Sequence, residues 1–146
     1  MHKESKMSSE LNRKIARRII EEGLSKHDLS LIDEYFAPDF IENQFGLKPS
    51  VQGMKESFET LYRAFPDYKL VIEDMAAEGD KVWLRMTCTG TNTGGFMGVK
   101  NGRSFKVAVL DIIRLKDGKV VEHWGCPDRF HLLLQLGLLS VPSEEK

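Results

Sequence analysis

A two-residue turn, Asp117-Gly118, joins two runs of strand-forming residues and strongly limits the folds open to this chain. Asp-Gly between two alternating segments is a strong hairpin signal, because both positions of such a turn need a positive φ. The flanking segments, residues 105–116 and 119–127, are rich in β-branched residues, which strands favour. The sequence therefore predicts a long antiparallel hairpin.

Two acidic residues in and after this hairpin are candidate catalytic residues. Asp111 lies in one row with Val107, Val109 and Ile113, because alternate residues of a strand share a face. A carboxylate on an apolar face must be paired, protonated or chemically active, since burying it alone is costly. Asp128 follows directly where the second strand ends. We therefore expect Asp111 and Asp128 to carry any chemistry.

Composition limits the classes of partner. The chain has 146 residues and a formal net charge of −1, so it presents no net basic field for nucleic acid or an anionic membrane. No apolar run reaches membrane-spanning length. Cys88 and Cys126 are widely spaced and form no Cys-x-x-Cys motif, which is typical of reduced thiols in a cytoplasmic protein. We expect one domain over residues 8–140, a disordered leader at 1–7 and a flexible tail at 141–146.

Apolar periodicity organises the rest of the chain. A spacing of three or four residues predicts three helices before residue 66, and a period of two predicts strands from residue 68 onward. A short Leu-rich helix should follow Asp128. Helices segregated from a run of strands indicate an α+β fold, with the helices covering one face of a curved sheet. Such a sheet leaves a concave apolar cavity.

The two sheet faces should have different roles. The outward row is apolar enough to predict a homodimer through the convex sheet face; it comprises Trp83, Arg85, Thr87, Ala108, Leu110 and Ile112. Trp124, Cys126 and Asp128 share one parity on the last strand. If that parity matches the face of Asp111, both acids line one cavity. His123 would then lie on the opposite face, as a surface or interface residue.

Several short motifs together resemble the SnoaL-like polyketide cyclases, a branch of the nuclear-transport-factor-like α+β cone folds. The resemblance runs from about Leu11 to Gly137 and rests on residues 65–67, 78–82, 89–94, 117–124, Asp128 and 135–137. It implies a cone-shaped curved antiparallel sheet with a mixed edge, covered by three N-terminal helices, plus a short C-terminal helix.

The resemblance also implies an activity. It suggests a cofactor-independent enzyme in which an Asp at the position of Asp128 is the acid and base of an intramolecular aldol closure. The position of Asp111 holds a histidine in the characterised cyclases. The substrate would be a hydrophobic carbonyl or ester compound. The residues predicted to bind it are Trp124, Cys126, Val109, Asn43, Phe58, Phe96 and Met97.

Other interpretations stay open. Asp128 precedes a helix and suits an N-cap, and Asp111 could face outward or pair with Arg85 or Arg114. A metal site is disfavoured, because His123, Asp128 and His131 lack the ligand spacing of zinc enzymes. The alternatives to a cyclase are a related isomerase or hydrolase, or a non-catalytic protein that binds a small molecule. Epoxide hydrolysis in this fold would need an arginine where Val109 stands.

Overall fold

The computed structural model describes the backbone of residues 2–142 and the side chains of residues 8–142. The helices are α1 (His2–Arg18), α2 (Ser30–Tyr35), α3 (Val51–Ala64) and α4 (Arg129–Gln135), and a π turn at Ile19–Gly23 and a 3-10 turn at Leu24–Lys26 extend α1. The first helix begins at His2 and not at residue 8, so the backbone of residues 2–7, predicted as a leader, is helical. Met1 and residues 143–146 of the predicted tail lie outside the described residues. None of the helices within residues 2–142 is long and apolar enough to cross a membrane.

Five strands form one mixed sheet. They are β1 (Phe36–Glu42), β2 (Lys69–Glu78), β3 (Lys81–Thr91), β4 (Ser104–Lys116) and β5 (Lys119–Pro127), in the spatial order β1-β5-β4-β3-β2. Strand β1 runs parallel to β5, and all other neighbours are antiparallel. The Asp117-Gly118 turn has a positive φ at both residues, 51° and 75°, as the predicted hairpin needs. The predicted α+β fold with a mixed edge is confirmed.

The helices pack against one face of the sheet and form the core with it. Alternation along β3 buries Val82, Leu84, Met86 and Cys88. Met54 and Phe58 of α3 are buried in the same core, because they lie four residues apart on one helical face. The curved sheet and the helices enclose an apolar cavity of about 460 Å³.

A β-bulge near the start of β5 sets the direction of its side chains. Val120 is opposite Leu115, and His123 is opposite Ile113. The chain therefore advances three residues on β5 while it advances two on β4. A bulge inserts one residue and shifts every later side chain to the other face. Val120 and His123 therefore both point to the core.

A loop after β3 covers one side of the cavity. The backbone N–H of Gly94 donates to the carbonyl of Ala64 at 3.0 Å, which ties the loop to the end of α3. A Cβ at Gly94 would lie 1.6 Å from the carbonyl oxygen of Arg63, so only glycine permits this approach. The loop thereby holds Phe96 against Phe65, with ring centroids 5.1 Å apart.

Candidate active site

Three ionisable side chains form a buried array at the inner face of the sheet. His123 is 6% exposed, and its Nδ1 lies 2.6 Å from Glu42 Oε1 while its Nε2 lies 3.0 Å from Asp111 Oδ2. The side chains of Glu42 and Asp111 are 1% and 14% exposed. One imidazole thus joins two carboxylates across three strands.

Strand pairing explains the array. Glu42 is the register partner of His123 in the parallel pair β1–β5, and neighbouring partners in a sheet project to the same face. Asp111 lies two residues before Ile113, the partner of His123 on β4, and so belongs to the same row. The array therefore depends on the mixed edge and on the β5 bulge.

The pKa of His123 is raised to about 9. Burial is the largest influence and would lower this pKa, but the hydrogen bonds and charges of Asp111 and Glu42 outweigh it. A charged imidazole has a donor at both ring nitrogens, which matches a carboxylate on each side. At neutral pH His123 is therefore an imidazolium between two acids.

Each carboxylate keeps one oxygen free. Glu42 Oε1 also accepts the backbone N–H of Gln44 at 2.8 Å, while Glu42 Oε2 and Asp111 Oδ1 are buried with no hydrogen-bond partner among the described residues. Buried oxygens without a donor are uncommon in folded proteins, so both atoms keep the capacity to accept a hydrogen bond. Asp111 and His123 both line the cavity, so the array borders the space in which a small molecule could bind.

A glutamine side chain lies beside this acceptor. A Cβ built on Gly125 would be 1.8 Å from Gln44 Oε1 and 2.9 Å from Asp111 Oδ1. Gly125 is the partner of Asp111 on β5, so its missing side chain gives Gln44 the space it occupies. Gln44 therefore lies directly beside Asp111 and, like Asp111, belongs to the cavity lining.

Two further ionisable groups of the cavity are poor bases. Burial raises the pKa of the Tyr68 phenol well above its ordinary value, and burial raises that of the Cys88 thiol to about 12. Both groups stay protonated at neutral pH and so keep a hydrogen to donate. Asp111 is thus the best-placed proton acceptor in the cavity lining.

The structure brings five of the predicted site residues to the cavity. Its lining includes Asp111, Val109, Phe58, Phe96 and Met97. Met97 is 70% exposed, so it lies at the cavity mouth, whereas Val109 and Phe58 are buried.

Asp128 lies apart from them. Its carboxylate accepts the backbone N–H of His131 at 3.0 Å and caps α4, and the residue is exposed. It does not belong to the cavity lining. The structure therefore separates the two acids that the sequence analysis considered together.

Four placements expected from the sequence are wrong. Trp124 and Cys126 pair with Ile112 and Leu110 and line a groove on the outer face, because the bulge reverses the β5 parity. His123 consequently points inward and is buried, not at the surface. Asn43 comes directly after Glu42, the last residue of β1, and does not line the cavity. Its side-chain amide donates to Glu122 and to the His123 carbonyl.

The expected alternatives for Asp111 also fail. Arg85 pairs with Asp74 at 2.7 Å and Arg114 with Glu122 at 2.9 Å, so Asp111 is left to His123. Among the described residues no group of three or more His, Cys, Asp or Glu side chains is arranged to hold a metal ion. Glu42 and Asp111 lie on opposite sides of the imidazole, so the three cannot converge on one ion.

Glu42 and His123 were not identified as site residues from the sequence. The available signal was weak: residues 120–127 carry apolar side chains on both parities, so alternation alone does not choose the inward row. Glu42 acquires its role only through the parallel pairing of β1 with β5, which brings residues 81 positions apart into contact.

The curved mixed sheet and the helices surround an apolar cavity with an acid and a histidine in its lining, an arrangement typical of α+β cone folds. The sequence profile of the SnoaL-like polyketide cyclases matches residues 14–136. The chain therefore belongs to the SnoaL-like polyketide cyclase family. No protein with a curated description matches it.

Solved structures agree with this family. AclR from Streptomyces galilaeus, provisionally described as a hydroxylase, is 32% identical; the match covers 90% of this chain and 99% of AclR, with a TM-score of 0.82. IdmH from Streptomyces antibioticus, provisionally described as a polyketide cyclase, is 28% identical over 86% of this chain and 98% of its own, with a TM-score of 0.79. A SnoaL-like protein from Jannaschia is 22% identical over 90% of this chain and 95% of its own, with a TM-score of 0.80, and shows the same fold.

Proposed function

We propose that this protein is a cofactor-independent enzyme of the polyketide cyclase type, acting on a hydrophobic carbonyl or ester substrate in the cavity. The observation that carries the proposal is Asp111, a cavity residue with one oxygen on a charged histidine and the other unpartnered among the described residues. A cavity of about 460 Å³ is in the ordinary size range for small-molecule sites.

The reaction needs one proton to be removed and one returned. Asp111 Oδ1 takes a proton from the carbon beside a substrate carbonyl, and the C–H electron pair becomes an enolate. The enolate carbon then bonds to a second carbonyl carbon of the same molecule, whose oxygen becomes an alkoxide. Asp111 returns the proton to that oxygen, so ring closure leaves the enzyme unchanged.

His123 is a positioning residue in this scheme. Its Nε2–H holds Asp111 Oδ2, which leaves Oδ1 to accept the proton, and Glu42 holds the imidazole from the other side. The protonated Tyr68 phenol and Cys88 thiol can donate to the oxygens that develop charge. Asp128 serves this site indirectly, as the cap of α4.

Proton exchange tests the first step without knowledge of the natural substrate. We expect the protein to accelerate deuterium exchange at the methyl group of 2-acetonaphthone in D₂O, followed by NMR. Asp111→Asn should lower the rate by about 100-fold, the size typical of losing one general base. Asp128→Asn is the matched control and should leave the rate within about twofold, because Asn is an equivalent N-cap.

A non-catalytic binding protein is the second candidate, because the apolar cavity by itself suffices for binding. In that case the wild-type protein binds 2-acetonaphthone without accelerating exchange, and Asp111→Asn changes nothing. An equal loss of exchange in Asp111→Asn and Asp128→Asn would instead contradict the assignment of Asp111 as the base.

We also propose a homodimer through the outer sheet face. Leu110 and Trp83 are 56% and 39% exposed there and lie beside the groove that contains Trp124 and Cys126. Apolar patches of this kind mark association surfaces. Light scattering at micromolar concentration should give twice the chain mass, and Leu110→Lys should give a monomer. A monomer mass for the wild type would contradict the dimer.

We further propose a cytoplasmic location. Cys88 and Cys126 are both free thiols, which is typical of proteins kept in a reducing compartment. Fractionation of the producing cells should find the protein with cytoplasmic markers. Recovery mainly with membrane or secreted fractions would contradict this proposal.

A further inference from the structure

An arginine lies across the cavity mouth. Arg129, the first residue of α4, donates from Nη2 to the Phe45 carbonyl at 3.4 Å, and its guanidinium lies 5.5 Å from the centre of the Phe45 ring. A Cβ on Gly46 would be 2.4 Å from the same Nη2, so the guanidinium rests directly on the loop after β1. Arg129 is one of the cavity-lining residues.

The charge of Arg129 has no acidic partner among the described residues. Lys48, the lysine of the lining, pairs with Glu56 at 3.0 Å. The acidic residue of the lining, Asp111, is bonded to His123. The described residues therefore leave positive charge at the mouth of an otherwise apolar cavity and negative charge at its wall.

The two charges lie at different positions along the cavity lining. Gly125 is opposite Asp111, and Arg129 lies four residues further along the chain, beyond the end of β5. Since an extended chain spans about 3.3 Å per residue, the backbones of the two positions are at most about 13 Å apart. A ligand that reaches both charges must therefore span a distance of up to roughly this size.

We propose that the ligand is an elongated apolar organic acid whose carboxylate is bound by Arg129 at the mouth. The proposal rests on the cavity being the binding site of the proposed function and adds the class and orientation of the substrate. A guanidinium binds a carboxylate through two parallel hydrogen bonds. The carboxylate of Asp111 repels a second anion, so the uncharged carbonyl end of the ligand faces the array.

A matched pair of fluorescent ligands tests this proposal. Pyrenebutyric acid and its methyl ester share the apolar body and differ in the charge at one end. We expect the acid to bind wild-type protein about fivefold more tightly than the ester at neutral pH and low salt, as one partly exposed ion pair allows. High salt should remove most of this preference, because it screens exposed charges.

Variants locate the preference at one residue. Arg129→Gln should weaken binding of the acid to the level of the ester and leave the ester unchanged, while Arg129→Lys should keep part of the preference. Lys48→Gln should have a smaller effect, because Lys48 already has an acidic partner. Arg17→Gln on the exposed face of α1 is the charge-matched control and should change neither affinity.

Each remaining outcome decides against the proposal. If the wild type binds the acid and the ester equally, or if Arg129→Gln weakens both equally, the anionic end is not recognised, although the cavity still binds ligands. If neither ligand binds, the cavity is not a binding site and the proposed function fails together with this inference. Circular dichroism of each variant shows that the fold is retained.

Discussion

The two faces of the sheet are built from the same strands, but the inner face buries ionisable side chains whereas the outer face exposes apolar ones. On the inner face Asp111, His123 and Glu42 are buried and hold one another. On the outer face Leu110 and Trp83 are exposed although they are apolar. The ionisable side chains thus lie where water is excluded, while exposed apolar side chains lie on the opposite face. The one-residue bulge in β5 decides that His123 faces inward and Trp124 outward.

The largest expected effect is the loss of the inner array. His123→Leu removes the cation that both carboxylates contact, and breaking a buried pair in this way costs about 3–5 kcal/mol of unfolding free energy. Trp124→Leu changes the next residue, which faces outward, and should cost about 1 kcal/mol or less. Urea unfolding followed by circular dichroism measures both. Equal losses in the two variants would show that the faces do not differ as described.

The next largest effect concerns pH. The folded-state pKa of His123, about 9, is above its ordinary value of 6.5, so protonation of His123 favours the folded state. Its stabilising contribution is full below about pH 6.5 and is lost as the pH rises through about 9. The loss amounts to roughly 3 kcal/mol, because one pKa unit corresponds to about 1.4 kcal/mol.

Urea unfolding at a series of pH values between these limits measures the loss. His123→Gln is the control and should flatten the dependence over this range. NMR titration of the His123 ring protons gives the pKa directly. A value at or below 6.5 would contradict the assignment of a charged imidazole.

A smaller effect separates Asp128 from the inner face. Asp128→Ala should cost about 1 kcal/mol of unfolding free energy, because it removes the N-cap of α4. Asp128→Asn should cost almost nothing, since Asn caps as well as Asp does. Thermal or urea unfolding distinguishes the two variants. If the Asn variant lost as much as the Ala variant, the charge and not the cap would be important at this position.

The sequence predicted the β4 side of the site but not the β5 side. Along β4 the apolar row of Val107, Val109 and Ile113 is regular, so alternation places Asp111 on the inner face, where the structure has it. Along β5 the bulge lies between Val120 and His123, and nothing in the local sequence marks it. Counting by twos from Val120 therefore directs Trp124 inward, which is wrong.

The helices and the C-terminal cap were predicted from local signals. The spacing of Met54 and Phe58 defines α3, and the position of Asp128 before a Leu-rich segment defines an N-cap. Glu42 could not be found in this way, because its role arises from long-range parallel pairing. Local periodicity reports the face of an element, whereas pairing between distant segments decides which side chains meet.

The smallest expected effect tests the space beside Asp111. In Gly125→Ala the new methyl group would overlap the Gln44 amide, and this amide is the movable end of a flexible side chain. Alanine also restricts the unfolded chain, which favours folding by about 0.4–1 kcal/mol. The net change in unfolding free energy should therefore stay below about 1 kcal/mol while Gln44 is displaced.

Because Gln44 lies beside Asp111, its displacement should shift the NMR signals of the His123 ring. Cys126→Ala, one residue further and on the outer face, should leave those signals unchanged. A shift in both variants, or in neither, would show that the side chain at position 125 is not directed at the array.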